Sequence, residues 1–104
     1  MSQKTEAVIK DQVKLKKPSL YSVIIHNDDV TTMDYVVEVL VEIFSKTPID
    51  AAELMMDVHE KGHGVAGTFI FDIAATKKAQ CDMRSAERGF PLKLTIVEVQ
   101  NETR

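Results

Sequence analysis

The feature that most constrains the fold is a change of hydrophobic period across a short acidic turn. Residues 21–26 (Tyr-Ser-Val-Ile-Ile-His) are rich in β-branched and aromatic side chains, a composition typical of a strand. From Met33 to Phe44 apolar residues instead recur every three or four positions, which predicts an amphipathic helix over residues 32–44. Between the two lie residues 27–29 (Asn-Asp-Asp), here called the acidic turn. The chain must therefore pass from strand to helix at a corner that carries an amide and two carboxylates.

The predicted helix ends carry typical capping residues. Thr31 is predicted to cap the first helix, with Asp34 three residues later completing a pair that resembles a capping box. A second helix is predicted to begin with Thr47 as its cap and Pro48 at its first position, and to end at Gly62. The remaining predicted elements are a strand over residues 64–71, a third helix over residues 72–88 that Asp72 would cap, and a third strand over residues 92–99.

These elements follow one another in the order β-α-α-β-α-β, without an internal repeat. They predict an α+β fold, a three-stranded antiparallel sheet with three helices packed on one face. The 104 residues fit a single domain. Residues 1–18 are polar and hold five lysines against two acidic residues, which predicts a disordered basic N-terminal arm ahead of a folded domain over residues 19–104.

Composition and charge exclude several classes of function. A net charge of -3 gives the chain no overall attraction for nucleic acid. No apolar run approaches the ~18 residues of a membrane span, and the N-terminus lacks the apolar core of a secretory signal. The single cysteine, Cys81, rules out an internal disulfide and suits a reducing cytosol, so we expect a cytoplasmic location. Cys81 is interpreted as structural, because no base stands beside it.

Residues 59–63 (His-Glu-Lys-Gly-His) match the H-E-x-x-H motif of zinc proteases. That motif needs one continuous helix, because both imidazoles must face the metal one turn apart while the glutamate acts as the base. Here Gly62 is predicted to end the helix inside the motif, and no third ligand stands at the usual spacing. A small zinc hydrolase using His59, Glu60 and His63 is therefore an alternative that the spacing disfavours.

The acidic turn is chemically suited to an ammonium group. Ca²⁺ and Mg²⁺ sites usually need more oxygen ligands than this loop offers. An ammonium group offers three donors and no acceptor, which suits the carboxylates and the amide of the acidic turn. The simpler alternative is a small interaction domain in which the turn only begins a helix.

Four methionines at helical positions would fill the core or line an adaptable pocket: Met33, Met55, Met56 and Met83.

Several short motifs stand in order along the predicted domain. They are Lys-Pro-Ser-Leu-Tyr at 17–21, Asn-Asp-Asp-x-Thr-x-Met at 27–33, Leu-Met-x-x-Val-His at 54–59, Gly-x-Gly-x-x-Gly at 62–67, Thr-Lys at 76–77 and Gly-x-Pro-Leu at 89–92. Together they resemble the ClpS family, the adaptors of bacterial Clp proteases, and their spacing is the expected one over nearly the whole domain. One departure is Thr32, which stands where a proline is usual.

The resemblance implies an adaptor rather than an enzyme, without catalytic residues, metal or cofactor. ClpS-like proteins bind N-degrons, which are proteins and peptides with a free N-terminal Leu, Phe, Tyr or Trp, and deliver them to a ClpA-type AAA+ ATPase that works with ClpP. On this resemblance, the α-ammonium group would be held by Asn27, Asp28 and His59, and the loop would be shaped by Asp29 and Thr31. Met33 would stand at the pocket mouth, and the apolar wall would be lined by Val36, Met55, Val58 and Leu92. The ATPase would be contacted by Asp72 and Lys77.

Overall fold

The computed structural model describes residues 18–100. Most of the predicted basic arm, residues 1–17, lies outside the described residues, so its disorder stays a prediction. Within the described range, no helix combines the length and the apolar character that crossing a bilayer requires. The elements are β1 (Leu20–His26), α1 (Met33–Glu42), α2 (Pro48–Lys61), β2 (His63–Ile70), α3 (Phe71–Arg88) and β3 (Lys93–Glu98).

β1 is the central strand of an antiparallel sheet with the order β2-β1-β3. On one side it pairs with β2, so that Tyr21 lies opposite Phe69 and His26 lies opposite His63. On the other side it pairs with β3, where His26 lies opposite Lys93. The predicted fold class and the β-α-α-β-α-β order are confirmed.

The helices cover one face of this sheet. Val23 and Ile25 of β1 are completely buried, whereas Leu20 is 46% exposed, which is the alternation expected of a strand with one covered face. α3 contacts all three strands, α2 contacts β2, and α1 packs against α2. Fully burying a side chain such as valine or isoleucine contributes about 1.5–3 kcal/mol, so these contacts hold the helical layer on the sheet.

α1 begins one residue later than predicted because Thr32, not Thr31, is its N-cap. The Thr32 hydroxyl oxygen accepts a hydrogen bond from the Tyr35 N–H at 3.2 Å. The Thr31 hydroxyl instead donates to the Asp28 carboxylate, so the predicted capping role of Thr31 is wrong. A proline at the position of Thr32 would offer no such acceptor. α1 also ends earlier than predicted, at Glu42.

The predicted start and end of α2 are confirmed. Thr47 accepts a hydrogen bond from the Asp50 N–H at 3.1 Å, and Pro48 is the first helical residue. Gly62 follows the last residue in a left-handed conformation with φ 96°. Glycine adopts this conformation without the steric cost that a Cβ atom imposes, so α2 stops at this position.

α3 begins at Phe71 and is not capped by Asp72. Ile70 occupies the N-cap position and makes no side-chain cap hydrogen bond, so the predicted capping role of Asp72 is wrong. Asp72 lies in the first turn, where a carboxylate interacts favourably with the helix dipole. β2 accordingly ends at Ile70, and β3 begins at Lys93 rather than at Leu92.

α3 packs on the sheet through a narrow face of small side chains. Its buried residues are Ala74, Cys81 and Ser85, which are spaced by seven and four positions. The sequence shows no clear apolar stripe here, because the buried face is small and partly polar. Burial raises the pKa of the Cys81 thiol. The thiol therefore stays protonated and unreactive, in agreement with its structural interpretation.

We expect Ser45→Gly to stabilise the protein. Ser45 lies in the turn after α1 in a left-handed conformation, with φ 59°. A residue with a Cβ atom loses about 1–2 kcal/mol in this conformation, and glycine's larger unfolded-state entropy offsets part of the gain. The free energy of unfolding, measured by urea denaturation, should therefore rise by about 0.5–1 kcal/mol.

The matched control is the reverse change at Gly89, which has φ 74° and open space around the position of a Cβ atom. Gly89→Ser should lower the free energy of unfolding by a similar amount, because only the backbone conformation opposes the substitution. An unchanged or lower stability of Ser45→Gly would contradict the assigned strain.

Candidate functional site

A cavity of about 400 Å³ lies between the acidic turn and the helices α1 and α2. Its volume falls in the range of pockets that take a small ligand. One side is formed by residues 27–33, which comprise the acidic turn and the start of α1. The other lining residues come from the two helices: Val36, Met55, Val58 and His59.

The structure brings together all the predicted pocket residues except Leu92. Leu92 is buried in the same core as Val36 and Val58, and it borders a separate shallow depression beside Phe90. Leu92 lies just ahead of β3 and is not among the residues that line the cavity. The cavity also includes Val30 and Thr32 of the strand–helix loop, which the motif did not single out.

A backbone hydrogen bond fixes the acidic turn against the end of α2. The Asn27 N–H donates to the Gly62 carbonyl at 2.9 Å, next to the pairing of His26 with His63. Because Gly62 ends α2, this bond places the turn beside the last turn of that helix, where His59 lies. The amide and carboxylates of the turn therefore meet the imidazole at one rim of the cavity.

The Asp28 carboxylate organises the loop after β1. One of its oxygens accepts hydrogen bonds from the Val30 N–H at 2.8 Å and the Thr31 N–H at 2.6 Å, and the other accepts from the Thr31 hydroxyl at 2.7 Å. Partial burial alone would raise the pKa of Asp28, but the hydrogen bonds from Thr31 and Val30 outweigh it and lower that pKa. Asp28 is therefore ionised at neutral pH and shapes the loop together with Thr31.

Three polar side chains on the rim are exposed and face the cavity: Asn27, Asp29 and His59. Within residues 18–100 none of the three makes a side-chain hydrogen bond or an ion pair. An amide oxygen, a carboxylate and a neutral imidazole nitrogen can each accept a hydrogen bond. The rim thus offers acceptors that the described domain does not itself use.

The rest of the cavity is apolar. Val36 and Val58 are buried and form its deep part, and Met55 is half-buried beside them. Met33, at the first position of α1, is 42% exposed and so stands at the mouth. A methionine there is flexible and polarizable, which suits contact with side chains of several shapes.

The H-E-x-x-H residues do not form a continuous helical motif. α2 ends at Lys61, Gly62 turns into the left-handed region, and His63 is the first residue of β2. His59 and His63 therefore lie on different elements instead of one helical turn apart. Among residues 18–100, no three His, Cys, Asp or Glu side chains are grouped so that they could hold a metal ion.

The two residues predicted to face the ATPase lie on α3, outside the cavity. Asp72 is exposed in the first turn. Lys77 is half-buried, and its ammonium group donates to the Ile43 carbonyl at 2.7 Å while lying 5.4 Å from the centroid of the Phe69 ring. Lys77 therefore already has a role inside the domain, which the sequence motif did not reveal.

Known proteins of one family match almost the whole described domain. Residues 16–95 match the family model for the ATP-dependent Clp protease adaptor protein ClpS. The chain is 47% identical over 91 residues to the ClpS adapter of Clostridium acetobutylicum, covering 88% of this chain and 90% of that protein. It is 51% identical over 92 residues to the ClpS adapter of Acetivibrio thermocellus, covering 88% and 93%. The chain therefore belongs to the ClpS family of ATP-dependent Clp protease adaptors.

A solved structure gives the same family and fold. Agrobacterium tumefaciens ClpS2, bound to L-phenylalaninamide, matches with a TM-score of 0.77 and 34% sequence identity. The match covers 80% of this chain and 100% of that chain. The resemblance inferred from the short motifs is confirmed.

We expect the stability contributed by Asp28 to depend on pH. Its pKa in the folded state lies below the ordinary value of 3.8, so the stabilisation is fully present above pH 3.8 and is lost as the pH falls through the folded-state pKa. Asp28→Asn should therefore be less stable than the wild type at neutral pH, and the difference should shrink in acid. Urea denaturation from pH 7 to pH 3 measures it.

The control is Asp57→Asn, which changes an exposed acid of α2 that lies 4.0 Å from Lys61. This variant should stay close to the wild type at every pH, because exposed ion pairs contribute little. A stability difference for Asp28→Asn that does not change with pH would contradict the assignment.

Proposed function

We propose that this chain is a non-catalytic adaptor that binds substrates with a free N-terminal Leu, Phe, Tyr or Trp and delivers them to a ClpA-type AAA+ ATPase acting with ClpP. The observation that carries the proposal is the cavity. Its rim holds hydrogen-bond acceptors without a partner in the described domain and the carboxylate of Asp28, and its interior is apolar. L-phenylalaninamide, the ligand of Agrobacterium tumefaciens ClpS2, has a free amino group beside an aromatic side chain. Those two groups match the two parts of the cavity.

The rim would hold the α-ammonium group of the substrate. Asp29 supplies a carboxylate that is free to accept, and Asn27 and His59 supply neutral acceptors. Asp28 adds negative charge, although its hydrogen bonds to the loop leave it fewer free acceptor positions. Each charge-assisted hydrogen bond contributes about 1.5–3 kcal/mol. We therefore propose that Asp29 binds the ammonium group and that Asp28 and Thr31 shape the loop. This exchanges the roles that the resemblance implied for the two aspartates.

The apolar interior would take the side chain of the substrate's first residue. Contact with Val36, Met55 and Val58 removes that side chain from water, which contributes about 1.5–3 kcal/mol for a residue such as leucine or phenylalanine. Leu92 supports this wall from within the core. Neither the apolar contact nor the ammonium site alone outweighs the entropy lost on association. A substrate must therefore combine a free amino group with a bulky apolar side chain.

Delivery requires a second surface that the substrate leaves free. Asp72 and Lys77 on α3 lie outside the cavity, so substrate and ATPase could be bound at the same time. Asp72 offers an exposed carboxylate, and Lys77 keeps two N–H donors after its bond to Ile43. Residues 1–17, which carry five lysines, would be the segment that the ATPase engages during delivery.

We expect Asp29→Asn to weaken the binding of a Phe-starting peptide by about tenfold or more, because a charge-assisted bond becomes a neutral one. Fluorescence anisotropy with a labelled peptide measures the change. Asp57→Asn, which changes an exposed acid of α2 outside the cavity lining, should bind like the wild type. Equal affinities of wild type and Asp29→Asn would remove Asp29 from the ammonium site.

We also expect the cavity mouth to discriminate against branching at the β-carbon. In a peptide that starts with valine, the extra γ-carbon lies close to the backbone, where it would crowd Met33. A Leu-starting peptide should therefore bind at least about tenfold more tightly than an otherwise identical Val-starting one. Similar binding of both would contradict the role of Met33, and binding of neither would contradict the proposed function.

A further inference from the structure

α1 is held on α3 by polar contacts along its whole length. Near its start, the Tyr35 hydroxyl hydrogen-bonds with the Ser85 hydroxyl at 2.8 Å in the buried core. The guanidinium of Arg88 lies 5.3 Å from the centroid of the Tyr35 ring. The first turn of α1 thus contacts the last turns of α3.

The middle and the last residue of α1 are joined to α3 by a network of ion pairs. Glu38 accepts hydrogen bonds from Arg88 at 2.8 Å and from Arg84 at 3.3 Å, and Glu42 accepts one from Arg84 at 2.7 Å. The hydrogen bond from Arg88 lowers the pKa of Glu38, so that its carboxylate stays ionised. Single exposed pairs contribute little, but a network restrains the relative position of the two helices.

The C-terminal end of α1 has no positively charged side chain of its own, and α3 supplies one. The last carbonyls of a helix have no intrahelical partner and carry partial negative charge. α1 has no basic residue in its last turn, and the following turn holds Ser45 in the left-handed region. Lys77 of α3 supplies the missing donor to the Ile43 carbonyl at 2.7 Å, from a half-buried position against Phe69.

These contacts bear on the cavity because α1 also carries part of its lining. Met33 stands at the first position of α1, and Val36 follows one turn later. A helix of 10 residues is a rod of about 15 Å, so a displacement of one end is transmitted to the other. We propose that Lys77 is a positioning residue that fixes α1, and with it Met33, and thereby sets the selectivity of the cavity mouth. The proposal rests on the proposed binding function.

Lys77 lies between the cavity helix α1 and the surface predicted to face the ATPase. Lys77 belongs to that surface by resemblance, and it contacts the end of the helix that begins at Met33. A partner group that accepts a hydrogen bond from Lys77 would compete with the Ile43 carbonyl or share the ammonium group with it.

The test compares Lys77→Met with Lys78→Met in the full chain. Methionine keeps most of the apolar stem of Lys77 and removes the donor. Lys78 is the adjacent residue, and its ion pair with Asp82 at 2.6 Å stays within α3. Two properties are measured: the methyl resonance of Met33 in the free protein, and the ratio of affinities for peptides that start with Leu and with Val.

In Lys77→Met we expect the Met33 methyl resonance to shift and the Leu-to-Val affinity ratio to fall by about three- to tenfold. In Lys78→Met both should stay at the wild-type values. A general loss of stability lowers both affinities by the same factor and leaves the ratio unchanged, so the ratio separates positioning from folding. If Lys77→Met does not fold, Lys77→Gln, whose shorter side chain cannot reach the carbonyl, takes its place.

An unchanged Met33 resonance in the Lys77 variant would overturn the positioning role. A shifted resonance with an unchanged affinity ratio would overturn the link to selectivity. If the wild type bound neither peptide, the proposed function would fail and the selectivity claim with it. The methyl resonance would still show whether Lys77 positions α1, so the two failures are distinguishable.

Discussion

The hydrogen bond from the Asn27 N–H to the Gly62 carbonyl joins the two halves of the site. It connects the end of the central strand to the glycine that ends α2, and it lies at the end of the sheet where His26 pairs with His63. Together with that pairing it places the acidic turn beside the last turn of α2, where His59 lies. The polar rim depends on this junction, because the acidic turn and His59 meet there, while α1 and α2 supply the apolar interior.

Much of the fold was predictable because its signals are local. The strand before the acidic turn, the Thr47-Pro48 start of α2 and its stop at Gly62 each depend on a few neighbouring residues. The cap of α1 was assigned to the wrong threonine because Asp28 takes up the Thr31 hydroxyl, a competition that spacing does not show. α3 was harder still, since its buried face consists of small residues that lack a clear hydrophobic period.

Some features of the site were predictable from the sequence and others were not. The family resemblance located the acidic turn and the lining residues of both helices, and the packing of α1 against α2 brings them together. It could not show that Asp28 is occupied with the loop while Asp29 is free, since both are aspartates in one short turn. Nor could it show that Leu92 is absorbed by the core, or that Lys77 completes the end of α1. The Leu92 and Lys77 facts depend on contacts between residues far apart in the chain, whereas the use of Asp28 by the loop depends on local backbone geometry.

The central claim is that one cavity recognises both the free amino group and the bulky apolar side chain of the substrate's first residue. The most direct measurement is a calorimetric titration of the wild-type protein with two Leu-starting peptides that differ only in acetylation of the α-amino group. Acetylation removes the charge and two of the N–H donors but keeps the leucine side chain. We expect the free peptide to bind and the acetylated one to show no detectable binding. Equal affinities would contradict it, because the polar rim would then play no part in recognition.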